Sequence, residues 1–333
     1  IKPLTVRRTR TDIESISRYN KDIGDFPKVE RPVESRYELN EHLADLFEKA
    51  MTILTKDLTY ARYQAIAYLK PEIANGLYDN AETISRSLAG IRKNGLVKRL
   101  ESSFYAFQVS IANFKQANQN MIDMFANDKI FIAPDLDINN LIAAGLSEEE
   151  IEEKLNAKAQ DNPKNASFRA ADFNPGYIGM LKKDQEILEQ MCSDWASVTE
   201  ADDSKFAKFN DLIKHELFKA DRNPERKLVV FSESVDTVEY LAKRINRKDV
   251  LVISAKNRSN QFKTIRENFD ANYKDKHDNY NIILTTDVLA EGINLHRSNV
   301  IVNYDTPWNS TRLMQRIGLS LIHISEPTRR SYI

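Results

Sequence analysis

The sequence predicts an α/β protein in which a mainly parallel sheet with crossover helices follows a large α-helical unit. Three observations predict it. From about Glu38 to Leu217 the apolar residues recur at helical spacing. After Asn223-Pro224 the period shortens, and brief Val/Ile-rich runs each end in polar residues. Helical stripes separate the first three of those runs, the alternation that builds βαβ crossovers.

In the helical unit, Leu43, Leu46, Phe47, Ala50, Met51 and Leu54 mark one face of a first amphipathic helix. Further helices are expected over Asn80 to Lys93, Leu96 to Ala126, Ser147 to Lys158, Tyr177 to Trp195 and Ser204 to Leu217. Phe131-Ile132-Ala133-Pro134 reads as a short extended piece and Asp161-Asn162-Pro163-Lys164 as a turn. The acidic run Glu148 to Glu153 follows Ser147 as a helix N-terminal charge cluster does. Arg86, Arg92, Lys93, Lys98 and Arg99 are either a solvated helix face or phosphate contacts. Phe104, Tyr105 and Phe107 are read as core, with base stacking the alternative.

The strands expected in the sheet are Lys227 to Phe231, Val250 to Ile253, Ile282 to Thr285 and Val300 to Asn303. Val235, Val238, Leu241, Ala242 and Ile245 form the helical stripe after the first, and Phe262, Ile265 and Phe269 the one after the second, behind Ser259 as cap. Each strand runs into polar residues, and that edge is where open α/β sheets keep their sites.

With 333 residues, of which 41% are hydrophobic, the chain has room for two cored units. The net charge of -1 provides no bulk attraction to a polyanion, so any such binding must be local. One cysteine, Cys192, excludes an internal disulfide and a multi-cysteine zinc site, and fits a reducing compartment. The five histidines lack metal-ligand spacing, so no metal site is expected. No run is long and apolar enough for a membrane span and no signal peptide is visible, so a soluble, cytoplasmic chain is expected.

Everything is organised around Thr285 to Gly318, TTDVLAEGINLHRSNVIVNYDTPWNSTRLMQRIG. A strand end enters Thr285, Thr286 and Asp287, a turn carries Gly292, and a second strand leads to Tyr304, Asp305, Thr306, Pro307 and Trp308. From Asn309 or Ser310 as N-cap a helix carries Arg312, Gln315 and Arg316. This order resembles motifs V and VI of superfamily 2 helicases. T-T-D-x-x-x-E-G-x-N-L, Y-D-x-P-W-N and Q-R-I-G are most similar to the bacterial Swi/Snf-like branch, and K-L-V-V-F-S-E-S resembles motif IV. V-R-R-T-R-T-D-I with F-P-K-V-E, and the stretch Leu96 to Ser103, are similar to segments of the same proteins. Arg7, Arg8 and Arg10 are then either an interlobe or phosphate contact or a solvated linker.

The resemblance implies a RecA-like second lobe of P-loop-NTPase type. Its expected layout is 1-37 as a linker from a first lobe, 38-220 as an α-helical insertion, 221-318 as the helicase C-terminal domain and 319-333 as a non-native tail. Leu319 stands where the family has arginine, and Leu319 to Arg329 resembles translated sequencing-library adapter; a divergent natural tail is the alternative. The implied cofactors are ATP with Mg2+, held mainly by a first lobe that supplies the phosphate cradle. None of the nine glycines here is followed by Lys-Ser or Lys-Thr, so this chain alone is expected to be inactive.

By the same resemblance Gln315 and Arg316 face the γ-phosphate. Gly292 and Asn294 meet the nucleotide sugar, Glu291 and Asp287 orient that loop, and Ser232, Ser254, Thr285 and Thr286 donate to backbone phosphates. The implied partners are DNA, with RNA open, and the first lobe. Taken singly, the hydroxyls are as well read as helix caps, Arg316 as a surface arginine, Asp305 as a turn former and Trp308 as packed under the loop. Two other classes stay open: a non-catalytic nucleic-acid or protein-binding module, and a small-molecule transferase, which would need a glycine fingerprint that Phe231-Ser232-Glu233-Ser234 lacks.

Overall fold

The structure, a computed structural model, describes residues 32-74, 81-132, 167-289, 293-318 and 330-332. Two compact units result, one spanning residues 38-203 and the other built mainly from residue 204 onward.

The first unit is helical. Helix α1 (Glu41–Thr52) is capped by Asn40, whose Oδ1 accepts the Leu43 amide at 2.9 Å. A π turn (Ile53–Asp57), a 3-10 segment (Ala61–Tyr68) and the single turn α2 (Pro71–Ala74) follow. Long helices α3 (Ala81–Ser102) and α4 (Phe104–Ala126), a short antiparallel pair β1 (Ile130–Phe131) with β2 (Ser167–Phe168), and α5 (Tyr177–Trp195) complete it. One apolar cluster joins Leu54, Leu96, Phe107, Phe114, Leu188 and Trp195, and a second joins Ile66, Met121, Ile130, Phe173, Tyr177 and Leu181.

The expected break between Lys93 and Leu96 is absent. Asn94 and Gly95 continue α3, and the chain breaks instead at Ser103, extended at φ -156 and ψ 149 with its Oγ accepting the Ala106 amide at 3.0 Å. Tertiary packing of Leu96 and Leu100 outweighs the weak helix preference of Asn-Gly. Several of the basic residues bond within the unit rather than standing free on a solvated face. Arg92 lies over the Phe114 ring at 5.1 Å and donates to the Ser110 carbonyl, Arg99 is buried, and Lys93 donates to the Thr55 carbonyl. Arg86 is exposed and paired with Glu82 at 2.7 Å, the helical i, i+4 partner. Phe107 is buried and meets Trp195 edge-on at 4.9 Å, as expected of core, whereas Tyr105 is exposed.

The second unit opens with α6 (Ser204–His215), earlier than the boundary at 221 expected from the change of period. Phe206, Phe209 and Ile213, at i, i+3 and i+7, pack with Leu228, Val230 and Ile282, so this helix belongs to the sheet. Strands β3 (Leu228–Phe231), β4 (Val250–Ile253), β5 (Ile282–Thr285) and β6 (Val300–Asn303) fall where their apolar runs place them. With β7 (Arg330–Tyr332) they form a five-stranded sheet of order β4-β5-β3-β6-β7, parallel throughout. The crossovers include α7 (Val235–Arg244) and α8 (Arg258–Phe269), and α9 (Ser310–Gly318) follows β6.

Period two sorts the strand residues to two faces. Leu228, Val230, Leu284 and Val302 pack beside Val238 and Leu241 of α7, while Val229, Phe231, Ile283 and Ile301 pack beside Ile265 and Phe269 of α8. Burial on both faces explains the unbroken apolar runs. Phe262, expected in the buried stripe, is 42% exposed, and Asn257 rather than Ser259 stands at the N-cap position of α8. The buried residues of the helix are Ile265, Asn268 and Phe269, all in its C-terminal half, so Phe262 one turn earlier lies beyond the covered part of the stripe.

At the amino end of the sheet, buried Lys227 donates to the Tyr280 carbonyl at 2.7 Å and pairs with Asp278 at 2.9 Å. Arg297 joins the same carboxylate at 2.7 Å and reaches Glu225 at 3.1 Å. The Lys227 hydrogen bond holds the Asp278 carboxyl below its ordinary value, while burial lowers the Lys227 ammonium from its own. Because Asp278's folded value lies below its unfolded one, its contribution is full above the unfolded value of about 4 and is lost as pH falls through the folded value. Asp278→Asn is therefore expected to flatten the acid limb of stability in urea unfolding between about pH 5 and pH 3, modestly because the side chain is largely solvent-screened. An acid limb identical to wild type would remove Asp278 from that role.

The segment 1-31, with Arg7, Arg8, Arg10 and F-P-K-V-E, lies outside the described residues, as do Pro134, the expected helix Ser147 to Lys158 with its acidic run, and the turn at 161-164. So does 319-333 apart from β7. Among the described residues no helix is long and apolar enough to cross a membrane.

Candidate functional site

Parallel register brings the polar strand ends together. Phe231 pairs with Thr285 on one side and Asn303 on the other, and Ile253 pairs with Thr285. Ser232, Ser254, Thr286 and Tyr304, one residue further along, therefore occupy one edge of the sheet, the carboxyl edge. Two backbone bonds continue the sheet there: Ser232 N donates to Thr285 O at 3.0 Å and Tyr304 N to Phe231 O at 2.8 Å.

Asp305 holds the loop that leaves β3. Its Oδ2 accepts the Ser232 hydroxyl at 2.6 Å and its Oδ1 accepts the Glu233 amide at 2.7 Å. Ser232 Oγ in turn accepts the Ser234 amide at 3.1 Å, and Ser234 caps α7 by accepting the Thr237 amide at 3.3 Å. Ser232 and Thr285 are buried, and the Thr285 hydroxyl donates to the Thr286 carbonyl at 3.0 Å. Ser254 and Thr286 are half-buried, and Ser254 N donates to Asn257 Oδ1 at 2.8 Å. Two of the four hydroxyl residues singled out in the sequence thus face inward and two lie at the rim.

Helix α9 starts with Asn309, whose Oδ1 accepts the Thr311 amide at 2.9 Å. Arg316, six residues into it, is fully buried. Its Nε donates to Asp287 Oδ1 at 2.5 Å, and its Nη1 donates to Asn303 Oδ1 at 2.9 Å and to the Asp305 carbonyl at 3.3 Å. The guanidinium lies 5.2 Å from the Phe231 ring centroid, a cation–π distance. Nη2 is buried and has no protein acceptor. Arg312, one turn earlier, approaches Asp287 Oδ2 at 3.5 Å. A fork of fixed donors satisfies acceptors from two strand ends at once, which a point cation could not do.

Arg316 is thus not the surface arginine of the alternative reading. Gln315 is exposed, and Asn294 is exposed between buried Ile293 and Leu295. Asp287 begins the 3-10 turn Asp287–Leu289, and Glu291 and Gly292 lie outside the described residues. Trp308, expected beneath the loop, is 55% exposed; the adjacent Pro307 is buried in its place. Asn303 was missed by sequence reasoning and Asp305 was underrated. The signal for Asp305 was an acidic residue just past the end of an apolar strand, whereas nothing local marks Asn303. Among the described residues no group of His, Cys, Asp and Glu could hold a metal ion.

Residues 205–319 match the family described as helicase conserved C-terminal domain, and the match spans α6 to the end of α9. The probable ATP-dependent RNA helicase ddx51 of Dictyostelium discoideum is 26% identical over 44% of this chain and 29% of its own length. The uncharacterized ATP-dependent helicase YqhH of Bacillus subtilis is 51% identical over 11% of this chain and 7% of its length. The chain thus spans less than a third of the curated relatives it matches. Among solved structures, the C-terminal part of the Fun30 ATPase domain aligns with a TM-score of 0.37 and 14% identity, covering 92% of this chain and 85% of that one.

Proposed function

We propose that this chain is the second motor lobe of an ATP-dependent nucleic-acid helicase or translocase, acting with a first lobe that carries the P-loop. The observation that supports this most is the Asp287–Arg316 contact: residues resembling motifs V and VI, 29 positions apart, meet at the carboxyl edge of a parallel sheet, inside the matched domain. In such a motor, closure of two lobes around ATP supplies the coupling between phosphoryl transfer and movement.

In this reading Arg316 is internal and fixes the pitch of α9, and exposed Gln315 with half-buried Arg312 on the same helix faces the phosphate oxygens. The unmatched Nη2 of Arg316 suits one further oxygen acceptor. A magnesium ion does not fit this edge, because the Asp287 carboxylate is bonded by Arg316 and Arg312, and that of Asp305 by Ser232 and Glu233. The cation is assigned to the first lobe. Gly292 and Asn294 are proposed to meet the sugar, with Glu291 and Asp287 orienting that segment, and the rim hydroxyls of Ser254 and Thr286 to meet backbone phosphates without reading bases. Thr285 and Ser232 support that rim from within.

The spelling of the motifs favours DNA and the Swi/Snf-like branch. The RNA-helicase name of ddx51 favours RNA as the second reading. The test is ATP turnover by the longer protein that carries this chain with a first lobe, titrated with single- and double-stranded DNA and RNA. Stimulation by one of these, falling about 10-fold or more in Gln315→Ala, is expected. Nucleic-acid binding without turnover would leave the non-catalytic binding module, and neither binding nor turnover would remove the motor reading.

A further inference from the structure

We propose that Asp305 is a positioning residue that couples the loop after β3 to helix α9, so that nucleic acid bound beside that loop raises ATP turnover through its side chain and carbonyl. This rests on the motor reading above. The hydrogen bonds of Asp305 point two ways. Both carboxylate oxygens hold the loop, taking the Ser232 hydroxyl at 2.6 Å and the Glu233 amide at 2.7 Å. Its backbone carbonyl holds α9, taking Arg316 Nη1 at 3.3 Å. Bonds to an ionised carboxylate are the stronger kind, so the loop side of the junction is firmly tied.

The loop side continues into α7. Ser232 Oγ accepts the Ser234 amide, and Ser234 caps the helix at Thr237, so a shift of the Asp305 carboxylate is transmitted to the first turn of α7. The helix side continues across the sheet, because the same guanidinium that binds the Asp305 carbonyl also binds Asp287 after β5 and Asn303 at the end of β6. The loop after β3 and the candidate nucleotide-facing helix therefore meet at Asp305, beside a second link that runs from Thr286 through Asp287 to the same guanidinium. Asp305 is assigned no contact with substrate itself; it acts through Ser232 and Arg316.

A merely structural role and a coupling role separate in kinetics. In the two-lobed protein, Asp305→Ala is expected to leave turnover without nucleic acid unchanged and to lower the stimulation ratio about tenfold, within the usual range for coupled sites. Asp305→Asn, which keeps one acceptor for the Glu233 amide but offers none to the Ser232 hydroxyl, is expected to fall between. If Asp305→Ala does not fold, Asp305→Asn decides by the same ratio. Basal and stimulated turnover falling together, in step with a lowered melting temperature, would make Asp305 structural only and overturn the coupling. A stimulated wild type whose variants keep the full ratio also overturns it and leaves the motor reading standing. A wild type with no stimulated turnover removes the motor reading and the coupling with it.

Discussion

Arg316→Ala is expected to cost the sheet unit about 3 kcal/mol, or roughly 10 °C in melting temperature, because it removes the buried donor that Asp287, Asn303 and the Asp305 carbonyl share. The Asp287 carboxylate would lose its 2.5 Å donor, and Asn303, itself buried, would lose the 2.9 Å donor to its side-chain oxygen. Arg316→Lys should recover little of the loss, since one ammonium cannot span Asp287, Asn303 and the Asp305 carbonyl as the fork does. Arg316→Met with Asp287→Leu should recover more than either single change, because replacing both members of a buried pair avoids an unpaired charge. Scanning calorimetry of wild type, Arg316→Ala, Arg316→Lys, the double variant and its two single changes settles this. A single Arg316→Ala within about 0.5 kcal/mol of wild type would mean that the hub carries no stability. In the two-lobed protein the same variant should lower stimulated turnover in proportion to the disorder of α9, with Gln315 in place but misdirected.

Asp184→Ala is the second change expected to have a large effect, in the helical unit. Asp184 is fully buried in α5, and its carboxylate accepts the Thr59 amide at 2.9 Å, the Thr59 hydroxyl at 3.0 Å and the Ala61 amide at 2.9 Å. Those donors flank Tyr60, held at φ 56 in the left-handed region that a residue with a Cβ adopts at a cost of about 1 kcal/mol or more. The carboxylate offsets that strain, and the Tyr60 hydroxyl closes the turn by donating to the Leu54 carbonyl at 2.8 Å. Truncation leaves the buried Ala61 amide and the half-buried Thr59 amide and hydroxyl without this acceptor, so a loss of about 3 kcal/mol is expected in chemical denaturation. Asp184→Asn should cost less, because its remaining oxygen still serves one amide. Equal losses for the two variants would show that packing rather than hydrogen bonding sets the cost.

Much of the sheet was legible because its signals are local. The four apolar runs between Leu228 and Asn303 stay within a residue of their observed bounds, since burial on both faces leaves no polar residue to blur them. Helix α5 was equally plain from Tyr177 to Trp195. The misplacements have physical causes. Ser103 breaks the long helical stretch through its own hydroxyl, while Asn94 and Gly95 are carried along by the packing of their neighbours. Phe206, Phe209 and Ile213 look the same in sequence whether they face a helix or a sheet, so the unit boundary was drawn too late. Phe262 and Trp308 were assigned inward because large aromatics usually are, and each lies where the turn of the chain leaves it outside.

The sequence by itself determined the strands, their crossovers and the polar composition of the carboxyl edge, all of which follow from hydrophobic period and turn chemistry over a few residues. Only the tertiary structure decided what those polar groups do. Arg316 binds a carboxylate 29 residues away and Asp184 an amide 125 residues away, and both pairings exist because packed elements bring those groups into an interior where neither can be left unmatched. Periodicity records which face a residue takes, whereas a buried hydrogen-bond partner is chosen by whatever acceptor or donor the completed fold leaves within about 3 Å.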